Sequence, residues 1–287
     1  MPERFDLILN LGSLLSLPSW SKGPRGDVDA IAAVLRAEGF VGVEGGGAAA
    51  FRAFGLAPYG IVSIKEASSI HDALLRQRDE GFIGTTVHLG TGFEDEMEAY
   101  GLFETLLAAA SSINHPVRVE THRATLTQDV WRTMQFVQGF PELRLTADLS
   151  HWYTGLEMRY GDFSAKLDWM GPIFERVRFI HGRVSSMGCI QVPLQVGRRD
   201  EPHRGHFIEM WTRCMAGFLA TAEPDERLGF APEILPHRID APDRIRLIEY
   251  ACVNNQGEET HDRWQQVQLI ASLGKDCWRG ALRKTGR

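Results

Sequence analysis

Little in this 287-residue sequence points to a disulfide scaffold, a membrane or a nucleic acid. Its four cysteines, Cys189, Cys214, Cys252 and Cys277, stand far apart with no CxxC pair, which reads as reduced thiols and not as a disulfide or zinc framework. No stretch approaches the roughly 18 unbroken apolar residues of a spanning helix. The opening "MPERFDLILNLGSLLSL" has early acidic residues and lacks the basic start and small-residue cleavage site of a signal peptide, so a cytoplasmic location is expected. A net charge of −6 with acids and bases interleaved offers no basic stripe for a phosphate backbone. The expected partner is a small molecule, with neither nucleic acid nor membrane. The glycine-rich "EGGGAAAFRAFG" has neither GxGxxG spacing nor a GK[ST], so a dinucleotide or P-loop cradle is not expected there.

What is present is a long alternation of two patterns. With 44% hydrophobic residues the chain can bury a large core. Short apolar runs occur at 5–11, 39–44, 59–64, 83–89, 117–120, 143–148, 177–181 and 228–233, and each reads as a strand. Between them, stretches such as 28–37, 70–79, 94–113, 130–138, 164–175 and 207–222 carry apolar residues at three- and four-residue steps, which predicts helices. Eight strands alternating with helices predict a (β/α)₈ TIM barrel in an α/β chain, one domain over residues 1–287. A doubly wound open sheet is the competing architecture. After about Pro236 a final helical region is expected, with a frayed basic end at "RKTGR".

A barrel places its chemistry at the C-terminal ends of its strands. The last four predicted strands end at Glu120, at Asp148 with His151 just beyond, at His181 with Arg183, and at Glu233. Taken singly, a carboxylate at a strand end is more often a helix cap, and a lone histidine more often a satisfied core residue. Taken together they would repel on one rim unless a cation or protons intervened. Three carboxylates and one imidazole suit a divalent ion, Mn²⁺ first, with Mg²⁺, Co²⁺, Fe²⁺ or Zn²⁺ as alternatives.

The order Glu120, "DLSH" at 148–151, His181 and Glu233 resembles the xylose isomerase-like barrels, a superfamily of sugar isomerases and epimerases. The segment "HGRVSSMGCIQVPLQVGRRDEPHRGHFIEMW" is similar to one found in bacterial proteins labelled sugar phosphate isomerases. The resemblance implies that Glu120, Asp148, His181 and Glu233 hold one divalent cation, with His151 and Arg183 beside the substrate. It also implies that Glu120 and Glu233 pass a proton to and from carbon next to a carbonyl, through a metal-stabilised enediolate. A sugar or sugar derivative is then the expected substrate, and barrels of this kind often pair as homodimers.

Several other residues are candidates. His88 ends the fourth strand and is placed for substrate or a second metal, or for a polar structural role. Glu44, Lys65 and Glu66 follow strands two and three, where an orienting ion pair is expected. Trp20 and Trp152 are candidates for stacking on a sugar face, against a packing role. His203 and His206 fall in "DEPHRGHF", read as a mobile loop that could bring His203 or Arg204 to substrate. Arg198, Arg199 and Arg204, in a loop with Asp200 and Glu201 beside them, are candidates for a phosphate pocket. The rival functions are a dehydratase or lyase using the same site, an apurinic-site endonuclease-like phosphodiesterase and a sugar-sensing barrel without catalysis.

Overall fold

A computed structural model describes residues 4–195, 202–240 and 244–286. Eight parallel strands close into a barrel in chain order. They are β1 (Phe5–Asn10), β2 (Gly42–Glu44), β3 (Ala57–Ile64), β4 (Thr85–Leu89), β5 (Val117–Glu120), β6 (Leu145–Ala147), β7 (Val177–Gly182) and β8 (Leu228–Pro232). Phe5 pairs with Leu228 and Leu7 with Phe230, so the first strand seals the last. Every predicted strand is present, and closure excludes the open doubly wound sheet.

The helices α1 (Val28–Ala37), α2 (Ile70–Asp79), α3 (Glu96–Ser112), α4 (Val130–Gly139), α5 (Ser150–Gly155), α6 (Phe163–Trp169), α7 (Gly171–Phe174), α8 (Pro202–Thr221) and α9 (Arg263–Lys284) fill the connections. Aspartates start many of them: Asp27, Asp129 and Asp162 each accept a backbone N–H three residues on. Asp95 and Glu98 form a reciprocal capping box on α3. Each cap is worth about 1 kcal/mol.

Three segments depart from the sequence reading. The helix predicted over 164–175 is two helices, α6 and α7, because Pro172 lacks the N–H a continuous helix would use and instead opens the second. The stretch read as a mobile loop around His203 and His206 is the start of α8. Beyond Pro236 the chain first forms a small antiparallel hairpin, β9 (Arg238–Asp240) with β10 (Ile245–Leu247). The basic end is also more ordered than expected, since α9 runs to Lys284, whose ammonium meets Glu209 on α8 at 3.1 Å.

The long helices α8 and α9 sit tightly on the barrel. A Cβ on Gly274 of α9 would come within 2.5 Å of the Phe230 ring, and one on Gly217 of α8 within 2.6 Å of the Phe174 carbonyl oxygen. Burying the Phe230 side chain completely contributes about 1.5–3 kcal/mol.

Inside the barrel the two-residue alternation of β-strands stacks side chains in layers. Ile8, Tyr59, Phe179 and Ala231 make an apolar plug. Arg118, half-buried beside it, lies 5.6 Å from the ring centres of both Tyr59 and Phe179. Two residues beyond Phe179 and Ala231 come His181 and Glu233, and Glu120 likewise follows Arg118. The plug therefore aims the site. Among the described residues no helix is long and apolar enough to cross a membrane.

Candidate metal centre

The four predicted ligands converge at the C-terminal mouth. Asp148, His181 and Glu233 each offer an atom, all within 4.8 Å of one another. His181 Nδ1 lies 3.2 Å from Glu233 Oε2 and 3.5 Å from Glu120 Oε1, which brings in the fourth. All four side chains are buried.

His181 is held from below. Its Nε2 donates to Glu44 Oε2 at 2.8 Å, and Glu44 is itself fully buried. Thr86 donates to Glu44 Oε1 at 2.8 Å, and Asn10 to Oε2 at 3.3 Å. Glu44 thus fixes the imidazole so that Nδ1 faces the mouth, the outer-shell arrangement common to metal-binding histidines. The orienting ion pair expected of Glu44 is present, with His181 as its partner. Lys65 instead reaches the Gly90 carbonyl at 3.5 Å, and Glu66 precedes a 3₁₀ turn.

Asp148 closes its strand through an Asx turn. Its Oδ1 accepts from Ser150 N at 3.0 Å and Ser150 Oγ at 2.5 Å, leaving Oδ2 for the site. Oδ2 lies 3.3 Å from His151 Nε2 and 3.3 Å from Arg183 Nη1. Arg183 Nη2 in turn lies 2.6 Å from Glu233 Oε2, so this guanidinium bridges two proposed ligands. The ring of Tyr250, from the segment after the hairpin, covers it at 4.6 Å.

Charge in this enclosure is strongly coupled. Burial works against the Glu120 carboxylate, yet the imidazoles of His88 and His181 outweigh it and hold its pKa well below the usual range. Burial is likewise overcome at Asp148, where Arg183 and His151 keep the pKa low. Glu233 goes the other way: burial raises it, with Glu120 and Asp148 adding to the effect. Arg183 shares one charge between Asp148 and Glu233, and only Asp148 has the two Ser150 donors in addition. Burial opposes a charged His181, but Glu44, Glu233 and Glu120 prevail and raise its pKa well above the ordinary imidazole value.

A divalent cation fits this donor set. Asp148 Oδ2, His181 Nδ1 and Glu233 Oε2 are buried and, although close together, have no aligned hydrogen-bond partner. Buried polar atoms left this way are costly unless something completes them. Three buried carboxylates, Glu120, Asp148 and Glu233, surround the guanidinium of Arg183, which leaves an excess of negative charge whenever the imidazoles are neutral. Oxygen-rich ligation with one imidazole suits a hard to borderline divalent ion.

The other candidates separate. His88 joins the cluster: its Nε2 contacts Glu120 Oε2 at 2.7 Å. His151 joins it too, buried with neither ring nitrogen hydrogen-bonded. Trp152 does not. It is fully buried and its indole N–H donates to the Thr127 carbonyl at 2.8 Å, so it packs in the core and presents no face to a sugar. His203 lies in the first turn of α8 and in none of the three cation-competent groups among the described residues. Its neighbour His206 stacks on Phe163 at 3.8 Å and bonds Tyr153. Trp20 is half exposed and lines a cleft with His237 and Glu259. Arg198, Arg199, Asp200 and Glu201 lie outside the described residues.

The sequence reading passed over His122, which belongs to one of the three groups. Its signal was available: "ETH" puts His122 two residues beyond Glu120, and the strand pairing continues one residue past β5, with Thr121 N donating to Thr146 O at 3.0 Å. Burial lowers the His122 pKa to about 3, so this imidazole is neutral.

No protein-family model matches the chain, and no curated protein matches it in sequence. Solved structures do. The D-allulose 3-epimerase from Methylomonas sp. in complex with D-allulose superposes with a TM-score of 0.55 at 11% identity, over 98% of each chain. The probable 3-DHS dehydratase AsbF from Bacillus anthracis, involved in petrobactin synthesis, gives 0.52 at 15% identity, over 81% of this chain and 93% of that one. These neighbours share the closed (β/α)₈ barrel fold of this chain. Identities this low speak for the fold alone, and the neighbours that share it are enzymes.

Proposed function

We propose that this barrel is a divalent-metal-dependent isomerase or epimerase of a sugar or sugar derivative. The observation that carries the reading is the convergence of buried Asp148 Oδ2, His181 Nδ1 and Glu233 Oε2 within 4.8 Å of one another, with Glu120 Oε1 3.5 Å from the imidazole. Glu120, Asp148, His181 and Glu233 hold the ion, Mn²⁺ being the best match to the donors. When bound, a divalent ion supplies Lewis-acid polarisation of a carbonyl and its neighbouring hydroxyl.

The chain's own groups do the rest. Glu120 from β5 and Glu233 from β8 approach the substrate from different strands, one carboxylate taking the proton from carbon and the other returning it. Positioned acid–base groups of this kind contribute about 10²–10⁴-fold. Arg183 and His151, on the same rim, donate to the oxygen that gains charge as the proton leaves. Tyr250, packed over the Arg183 guanidinium, shields that ion pair from water.

The bound D-allulose of the Methylomonas neighbour makes ketoses the first substrates to try. The test is exchange of carbon-bound hydrogen with D₂O, followed by NMR on a ketose panel with Mn²⁺-loaded protein. Deuterium should enter next to the carbonyl, and Glu233→Gln should abolish this in a protein that still folds. Exchange at the wild-type rate in that variant would remove Glu233 from the reaction. Deuterium incorporation with loss of water would move the reaction to the dehydratase class, which shares the first proton abstraction.

A further inference from the structure

The N-terminal end of the barrel holds a cation without a counter-ion. Arg118 stands near the start of β5, and its half-buried guanidinium lies over the rings of Tyr59 and Phe179. Among the described residues its Nη1 is buried with no hydrogen-bond partner. The carboxylates whose charge reaches Arg118 are Glu44 and Glu226, and each already holds another cation: Glu44 is 2.8 Å from His181 and Glu226 3.0 Å from Arg178. Burial therefore prevails and pulls the Arg118 pKa down.

Two aromatic faces soften the cost of burying this charge, but they leave its N–H groups without an acceptor. More positive charge stands close by. Arg144, just before β6, and Arg176, just before β7, both donate to the Pro141 carbonyl, and burial, Arg178 and Arg176 lower the Arg144 pKa as well. Gly84, which directly precedes β4, leaves room at the guanidinium. A Cβ there would stand 3.0 Å from Arg118 Nη1 and 3.2 Å from Nη2, so glycine keeps the approach to both terminal nitrogens open.

We propose that Arg118 binds a small inorganic oxyanion of the phosphate type at the N-terminal end of the barrel. Its terminal nitrogens form the planar fork that takes two oxygens of such an ion in parallel. The site stands at the other end of the strands from the acidic cluster at the mouth, and it rests on no part of the metal reading.

The experiment is equilibrium dialysis of the metal-free, full-length protein against radiolabelled inorganic phosphate, with ionic strength held constant by potassium gluconate. Thermal denaturation is followed in the same buffers, with circular dichroism as the check on folding. Wild type should bind one equivalent saturably, and phosphate at about 100 times its dissociation constant should raise the Tm by about 5 °C. Arg118→Met should lose both the binding and that rise. In phosphate-free buffer it should melt no lower than wild type, because it carries no unmatched charge. Arg118→Lys keeps the charge without the fork, so it should fold even if the methionine variant does not, and bind phosphate about tenfold more weakly. Wild type without saturable binding would overturn the proposal, as would binding of wild-type strength in the variants. An Arg118→Met protein that melts lower than wild type by the same amount with and without phosphate would leave Arg118 a stacking role alone. A phosphate midpoint that moves in proportion to added chloride would make the ligand a halide and overturn the oxyanion assignment.

Discussion

Replacing Glu44 by glutamine probes how the barrel interior controls its mouth. The substitution keeps the volume of a fully buried side chain and an acceptor for His181 Nε2, but removes the negative charge 2.8 Å away. Loss of an outer-shell partner typically weakens metal binding by about 10–100-fold, which is about 1.4–2.7 kcal/mol. Charge-assisted hydrogen bonds are worth about 1.5–3 kcal/mol, so the metal-free protein should lose about 2 kcal/mol as well. At roughly 2 °C per kcal/mol for a chain of this size, its Tm should fall by about 4 °C.

The two losses depend on pH in opposite ways. In the metal-free protein the raised pKa of His181 contributes stability that is fully present below the unfolded imidazole pKa and is lost as pH rises through the higher folded value. Glu44→Gln removes part of that contribution, so the Tm deficit should shrink towards alkaline pH. The metal must displace the same proton, which the variant binds less tightly, so the affinity deficit should be smallest at acid pH and grow as pH rises. Calorimetric titration with Mn²⁺ and thermal denaturation, each from pH 6 to 9.5, read both trends. Affinities within about twofold of wild type across that range would refute the reasoning that Glu44 sets the ligand geometry of His181.

Other consequences follow from the same structure. Because the surrounding carboxylates raise the pKa of His181 well above the ordinary imidazole value, Mn²⁺ binding should release a proton, seen as a heat that changes with the ionisation enthalpy of the buffer; buffer-independent heats would contradict the raised pKa. Gly274→Ala should destabilise the protein by about 1–2 kcal/mol in urea denaturation, since overpacking against Phe230 outweighs the roughly 1 kcal/mol that alanine gains in a helix; a stabilised variant would show that α9 can shift outward. Trp152→Phe should cost about 1–2 kcal/mol by leaving the buried Thr127 carbonyl without its indole donor, while Mn²⁺ affinity stays at the wild-type value; a large loss of affinity would return Trp152 to the site.

The sequence alone determined the barrel. Strand-length apolar runs alternating with helical periodicity placed all eight strands, because burial on both faces of a parallel strand leaves a continuous apolar signature. It also marked Glu120, Asp148, His181 and Glu233, since four ionisable residues ending successive runs would meet on one rim and repel without a cation or protons between them. Tertiary structure decided what those residues meet. Nothing local to "GVE" says that Glu44 will hold a histidine 137 positions later, because only barrel closure puts β2 and β7 within reach across the interior. The fate of Trp152 and His203 was equally non-local, set by a carbonyl on the preceding loop and by where α8 begins. The hairpin beyond β8 pairs two short, exposed strands, so no hydrophobic pattern announced it. The imidazoles of His88, His122 and His151 meet at the mouth because the ends of β4 and β5 and the start of α5 lie side by side, a proximity written in the strand order and not in any one segment.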